Sequence, residues 1–498
     1  MVRAGLRSEG IALPGRLPSA LGSRQILRMG DTGLRTEIEH AAAGDATKLG
    51  RVRLRRDRQA LKAAGAGVLS LGTTYAVRLA VVPLSLRLLG TERYGLWLAV
   101  GSLVALGGVA DLGLSPGLVN VVAAASGRGD LEAMRRRIST AFAAYAALAG
   151  VLALALILTS QWGGLPRLLG AKDARLAHEA RLLVAVCGAL FAAGSLARVV
   201  TTACTALQEG YFASWAYVAG SLGSLVLLAP LVWWHGSLLA YTLVMGLPVL
   251  VALVAIGAMF FGNRHPDLRP GLQWCDAASL RDLWGVAGPV TLQQLGNLTV
   301  FYSANVLIAN RLGPAAVPQY AIPYALFGIL VSLAWQIVSP YLPAYAEASA
   351  RGDWQWIRRR AMHALWVTLA LLGCGGAALL LAGPETIRLW TGGQVKTGTG
   401  LLAALACFSL LKAVSMANGV LLVGLRLVKM AAFVSLTVGT VYVAGSWLLL
   451  PRLGLIGVPV AGVLAYLLDT AISLPYALRR IRAGEAGVYR EDESRCVA

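Results

Sequence analysis

Residues 210 to 263 contain no Asp, Glu, Lys or Arg. A helix rising 1.5 Å per residue needs about 20 apolar residues to cross roughly 30 Å of hydrocarbon, so this segment is long enough for two crossings. The turn signal His235-Gly236-Ser237 divides it. The rest of the chain repeats the pattern. From Ala63 onward, uncharged stretches predict twelve membrane-spanning helices over 63–89, 94–119, 138–160, 180–205, 211–234, 238–262, 284–310, 317–345, 361–382, 400–424, 430–450 and 454–478. Composition agrees: 57% of residues are apolar and 14% charged, where a soluble domain carries about 25% charged residues. A soluble enzyme, a secreted disulfide scaffold and a disordered chain are thereby excluded. The expected fold is an all-α integral membrane protein.

Charge placement orients those helices. With twelve spans, both termini lie on one side of the membrane, and that side collects 31 Lys and Arg against 10 on the other. Thirteen of the 31 fall in residues 1–62, a basic arm with no apolar run of helical length, expected to be disordered and to lie at the cytoplasmic face. No apolar core of a secretory signal precedes the run Arg51-Val52-Arg53-Leu54-Arg55-Arg56. Both termini are predicted cytoplasmic. The net charge of +20 is then a matter of topology, and a nucleic-acid partner is not expected.

The chain also repeats itself. At an offset of 223, Leu89-Gly90 falls on Leu312-Gly313, Arg128-Gly129-Asp130 on Arg351-Gly352-Asp353, and Arg135-Arg136-Arg137 on Arg358-Arg359-Arg360; at 218, Leu207-Gln208 falls on Leu425-Arg426. An offset of six helices, an even number, gives the two halves the same orientation, related by a pseudo-two-fold axis along the membrane normal. The expected organisation is a 1–62 arm, an N-terminal six-helix lobe over 63–262, a cytoplasmic linker over 263–283, a C-terminal six-helix lobe over 284–478 and a cytoplasmic tail over 479–498. The Arg-Gly-Asp and triple-arginine blocks read as cytoplasmic turns that anchor helices.

Several short motifs carry a resemblance. Leu88-Leu89-Gly90-Thr91-Glu92-Arg93-Tyr94-Gly95-Leu96-Trp97, then Ala110-Asp111-Leu112-Gly113-Leu114 and Ser126-Gly127-Arg128-Gly129-Asp130, resemble the first two helices of the polysaccharide transporter (O-antigen flippase, Wzx-type) family. Leu312-Gly313-Pro314, Tyr320 and Pro340-Tyr341-Leu342-Pro343 are similar to its seventh and eighth. The resemblance runs from about Ala63 to Arg482. It implies the fold of the multidrug/oligosaccharidyl-lipid/polysaccharide exporter superfamily, two lobes in a V around a central cavity. It also implies a bacterial inner-membrane flippase that moves polyprenyl-diphosphate-linked oligosaccharide by alternating access for surface polysaccharide, including lipopolysaccharide. The implied partners are that lipid-linked oligosaccharide, membrane lipids, and the polysaccharide polymerase and glycosyltransferases of the same pathway. Where family members often carry an acid in the seventh helix, this chain has Asn297, Asn305 and Asn310.

Charged groups away from the ends of the spans are few: Arg78, Asp111, Arg198, Lys412 and Asp469. A mid-helix cation costs roughly 2.5 to 3.5 kcal/mol to insert, which points it at a cavity or a partner. Two readings stand. Arg78, Arg198 and Lys412 line the cleft and receive a diphosphate, with Asn297 offering its amide to sugar; or Arg78 pairs with Asp111 and Lys412 with Asp469, as coupling or structural charges. Gln293 and Asn297 share a helix face with positions 300 and 304, and helix–helix hydrogen bonds account for the seventh helix's amides equally well. The six cysteines form no CxxC and read as packing residues, and the five histidines lie far apart, so no metal, cofactor or catalytic centre is expected. No GxxxxGK[ST] occurs, and the chain is expected to be a non-enzymatic transporter. The alternatives are a cation-coupled multidrug exporter, which needs an acidic cavity, and a membrane glycosyltransferase or polymerase, which needs larger extramembrane loops.

Overall fold

A computed structural model describes residues 31–108, 113–285 and 288–486, with side chains for 67, 69–108, 113–283 and 291–486. The chain divides into two units, 1–62 and 63–498. In the first unit the backbone of residues 31–62 is helical. Its Ala, Leu, Lys and Arg are all strong helix formers, and a helix satisfies its own backbone without a core. Residues 1–30 lie outside the described residues.

The second unit is helical throughout its described residues apart from short connections. Its helices are α1 (Asp31–Leu106, counted here from Ala63), α2 (Leu114–Arg128), α3 (Leu131–Gln161), α4 (Leu165–Leu168), α5 (Ala174–Ala206), α6 (Tyr211–Trp233), α7 (Leu238–Met259), α8 (Ala277–Gly285), α9 (Gly288–Leu312), α10 (Val317–Val338), α11 (Tyr341–Arg351), α12 (Trp354–Trp390), α13 (Thr399–Gly424), α14 (Val428–Leu453) and α15 (Gly457–Glu485). Among the described residues, nine stretches are long and apolar enough to cross a membrane. The stretch Val428–Glu485 holds both α14 and α15, and Leu69–Leu106 joins the first predicted span to the start of the second. The amide-rich α9 is long enough but not among the nine. The turn at His235 is present: His235 has φ 50°, and Ser237 caps α7 by accepting the Ala240 N–H at 3.2 Å.

The repeat is written in the backbone. Gly90 (φ 69°, ψ 176°) and Gly313 (φ 90°, ψ 161°) occupy a region that side chains avoid, and each sharply redirects the chain. Gly129 and Gly352 end helices in the left-handed region at φ 71° and 75°. The aspartate that follows each one caps the next helix, Asp130 accepting from the Ala133 N–H at 2.9 Å and Asp353 from the Trp356 N–H at 3.1 Å. Gly170 and Gly393 match at the same offset, and Gln208 and Arg426 both adopt φ 60°. Two six-helix lobes of one plan result.

Packing differs between the two ends of the lobes. At the end bearing Gly90 and Gly313 one hydrophobic cluster takes residues from both lobes, among them Leu86, Val100 and Val104 with Val300, Ile308 and Tyr320. At the Arg-Gly-Asp end the cores are separate: Leu118, Tyr145 and Phe260 in the first lobe, Tyr345, Ile357 and Leu421 in the second. The lobe cores thus merge at one end and stay separate at the other.

The triple arginines hold chain rather than merely facing water. Arg135 stacks 4.5 Å from the Trp274 ring centroid, Arg137 donates to the Val121 carbonyl at 2.8 Å, and the Asp276 N–H donates to Thr140 Oγ1 at 3.2 Å. The linker thereby lies on the first lobe. Asp276 caps α8, and the Ser279 backbone N–H holds its carboxyl below the usual carboxylate range.

Candidate functional site

The second lobe encloses a cavity of about 420 Å³ between α9, α10, α13, α14 and α15. Three of the six residues nominated from sequence line it: Asn297 from α9, Lys412 from α13 and Asp469 from α15. Helical spacing makes this possible on α9, where Gln293, Asn297 and Phe301 at i, i+4 and i+8 form one stripe on the cavity wall. The expected companions of that stripe, Val300 and Ala304, instead sit in the core shared by the lobes. The apolar seam and the polar wall are adjacent faces of one helix.

Lys412 is the cation of this cavity. Its ammonium donates to the Tyr324 hydroxyl at 2.8 Å and lies 5.0, 5.4 and 5.9 Å from the ring centroids of Phe301, Tyr324 and Phe408. Aromatic faces stabilise a cation at low dielectric without neutralising it, so its charge stays available to an incoming anion. The expected pair with Asp469 is not formed: among the described residues no carboxylate oxygen lies within ion-pair distance of Lys412. Asp469 is buried, one turn before Ser473, whose hydroxyl donates to the Asp469 carbonyl at 2.8 Å and also receives the Asn418 amide.

The remaining nominees lie elsewhere. Arg78 is exposed on α1, one turn from Tyr75, whose hydroxyl donates to Ser332 Oγ of the other lobe at 2.5 Å, and next to Leu79, whose carbonyl accepts from Trp390 Nε1 at 2.9 Å. These contacts set this stretch of α1 against the opposite lobe, with the Arg78 side chain exposed. Arg198 is exposed on α5 between buried Ala197 and Val199 and does not reach the cavity. Asp111 lies outside the described residues, and with it the proposed Arg78–Asp111 pair. The other amides of α9 fasten the lobes together: Asn305 Nδ2 donates to Ser102 Oγ at 2.9 Å and Asn310 Nδ2 to the Arg167 carbonyl at 3.1 Å.

The sequence did not nominate Tyr324, Phe301, Phe408, Trp335 or Ser435, all of which line the cavity or cradle Lys412. Nothing distinguished them among the other aromatic and hydroxyl residues, because only α9, α10, α13 and α14 packed together give them a common centre. Of the cysteines, Cys204 packs in a core as expected, while Cys374 and Cys407 are exposed on helix faces. Among the described residues no cluster of His, Cys, Asp or Glu fits a metal ion.

Two matched lobes of long apolar helices, joined at one end and holding a polar cavity in the membrane-spanning part, make up a multi-pass membrane protein with the transporter fold of the multidrug/oligosaccharidyl-lipid/polysaccharide (MOP) superfamily. Its solved structures share that fold. An inward-facing multidrug resistance MATE family transporter of the superfamily superposes with TM-score 0.67 at 18% identity, over 82% of this chain and 99% of that one. An outward-facing one gives 0.59 at 16% identity, over 86% and 97%. A MOP superfamily transporter from Pyrococcus furiosus, described as having a binding pocket of reverse polarity, gives 0.60 at 18% identity, over 86% and 97%. No protein of curated function matches the chain. Within that fold the chain belongs to the polysaccharide biosynthesis protein family, whose model matches residues 62–349.

Proposed function

We propose that this protein is a flippase that moves a polyprenyl-diphosphate-linked oligosaccharide across the bacterial inner membrane by alternating access, with no catalytic step of its own. The observation that carries this reading is the unneutralised Lys412, caged by Tyr324, Phe301 and Phe408 in a cavity that also presents Asn297, Gln293 and Ser435. A cation receives diphosphate oxygens, amides and hydroxyls receive sugar, and exposed rings such as Trp335 offer a stacking face. Family membership supplies the pathway.

With the Arg-Gly-Asp turns at the cytoplasmic face, as the excess of positive charge there suggests, the end where the lobe cores are separate faces the cytoplasm. This is the side on which a lipid-linked oligosaccharide is assembled. Glycosyltransferases would deliver it and a polymerase would take it from the outer leaflet. The multidrug reading asks for an acidic binding cavity, and Asp469 is the one carboxylate in this lining; the adjacent free cation disfavours a cationic drug.

The test is reconstitution in vesicles with a fluorescent lipid-linked oligosaccharide whose accessible fraction is read by an impermeant glycosidase. Lys412→Ala should weaken substrate binding by about thirtyfold, the size of one charge-assisted contact of about 2 kcal/mol, and Lys412→Arg should retain most of it. Export of a cationic dye by the wild type, with no movement of the lipid-linked sugar, would replace this reading with the multidrug one.

A further inference from the structure

We propose that the apolar groove between α9 and α14, which ends at Arg311 stacked on Trp447, binds the polyprenyl chain of the lipid-linked substrate with its diphosphate at Arg311. The choice of lipid rests on the flippase reading; the groove and its cation do not.

The groove has a volume of about 680 Å³ and is lined by Leu295, Gly296 and Thr299 of α9 and by residues of α14 from Leu436 to Leu448. Those twelve steps along α14 measure about 18 Å at 1.5 Å per residue, a little over half the hydrocarbon thickness. Apart from two threonine hydroxyls and the Trp447 indole N–H, its lining side chains are apolar.

Its position relative to the Lys412 cavity is particular. Gln293, Asn297 and Ser435 of the same two helices face that cavity, so groove and cavity lie on opposite sides of a wall one helix pair thick. The wall is thin because Gly296 packs directly on the Ser435 backbone with no room for a Cβ, and Gly439 faces the Gly296 carbonyl. The Lys412 cavity is lined from the half of α9 and α14 nearer the linker, whereas the groove runs toward the other end of α14, where Trp447 stands.

That end carries charge. The Arg311 guanidinium lies 3.7 Å from the Trp447 ring centroid, and no carboxylate among the described residues pairs with it. Stacking uses the face of the guanidinium and leaves its edge N–H groups to bind phosphate oxygens. An apolar trough of single-helix-pair width, ending in such a cation, fits one long hydrocarbon chain with an anionic head. A polyprenyl diphosphate has that shape. A diacyl phospholipid brings two chains to a trough walled by two helices. In the flipping cycle this site would hold the lipid with its headgroup at the end opposite the Arg-Gly-Asp turns, hence after transfer.

The experiment uses the full-length protein in phosphatidylethanolamine vesicles with a polyprenyl diphosphate bearing a benzophenone near the middle of its chain. Illumination should label the peptide containing Leu436 to Leu448. Excess unlabelled polyprenyl diphosphate should abolish that labelling, and equal phosphatidylglycerol should not. Ala444→Trp and Thr440→Trp, both at exposed groove positions, should each reduce labelling at least about fivefold, with thermal unfolding checked to exclude misfolding; the effect expected is steric filling of the groove. Arg311→Gln should weaken competition by the diphosphate about tenfold, the size of one charged hydrogen bond, and leave labelling by the benzophenone polyprenol unchanged. Labelling spread over many helices, equal competition by phosphatidylglycerol, or full labelling of both well-folded tryptophan variants would overturn the proposal. A wild type that labels in the groove yet moves no lipid-linked sugar would instead refute the flippase reading and leave the groove as a polyprenyl site.

Discussion

One physical constraint applies to Lys412 and Arg78 alike: a cation deep in an apolar helix must face something other than lipid. For Lys412 the something is an aromatic cage, not the Asp469 carboxylate, and this matters because a neutralised pair would have little attraction left for an anion. Arg78 sits twelve residues before the Gly90 kink, about 18 Å of helix from the joined end of the lobes, in the stretch of α1 where Tyr75 reaches the opposite lobe. Arg78→Ala should stop surface glycan export and accumulate the lipid-linked precursor with normal amounts of protein, while Arg78→Lys, which keeps charge and loses the bidentate fork, should restore part of it. If Arg78 only neutralises Asp111, the single variant should lower protein abundance and Arg78→Ala with Asp111→Ala should recover both abundance and export. Surface glycan and membrane protein level, measured together, separate the two.

The element scale is governed by a few special backbone positions. Gly90 and Gly313 share a conformation with positive φ and ψ near 180°, and each sits where a helix turns and the lobes meet. Gly313→Ala should therefore cost about 1 to 3 kcal/mol of stability, readable as a lowered thermal midpoint in detergent, and Gly90→Ala the same. Gly95, five residues on, packs against the Pro314 carbonyl of the other lobe, so Gly95→Leu should disturb the joint rather than either lobe. The caps are more modest: Asp353→Ala removes one acceptor from the start of α12 and should cost about 1 kcal/mol. The repeated Gly-Asp pair was readable in the sequence because Gly for the left-handed end and Asp for the next cap are both local requirements.

At the scale of the whole molecule, orientation and motion are the quantities to test. Cysteines placed at Gly236 and Gly392 should react with an impermeant thiol reagent outside intact cells, and ones at Gly129 and Gly352 should not; the reverse pattern would invert the topology. The joined end supplies the test of alternating access, since Asn305 and Ser102 touch across the lobes at 2.9 Å. A short thiol cross-linker between cysteines at these two positions should arrest transport, and cleavage of the linker should restore it. Full transport by the verified cross-linked protein would mean the lobes need not part there.

Helix number, the repeat and the pairing of the lobes' turns followed from sequence alone, because each depends on interactions a few residues apart: the length of an apolar run, a glycine at a left-handed position, an aspartate capping the residue three ahead. Which side chains share a cavity did not, since Lys412, Trp335 and Asn297 come from three helices. Nor did the sorting of the α9 amides, where Asn297 lines the cavity while Asn305 and Asn310 fasten the lobes. Every face of a membrane helix can be apolar, so the hydrophobic pattern that assigns an inner face in a soluble protein carries little information here. Only the packing of one helix against the next decided which polar groups meet a partner and which are left for a substrate.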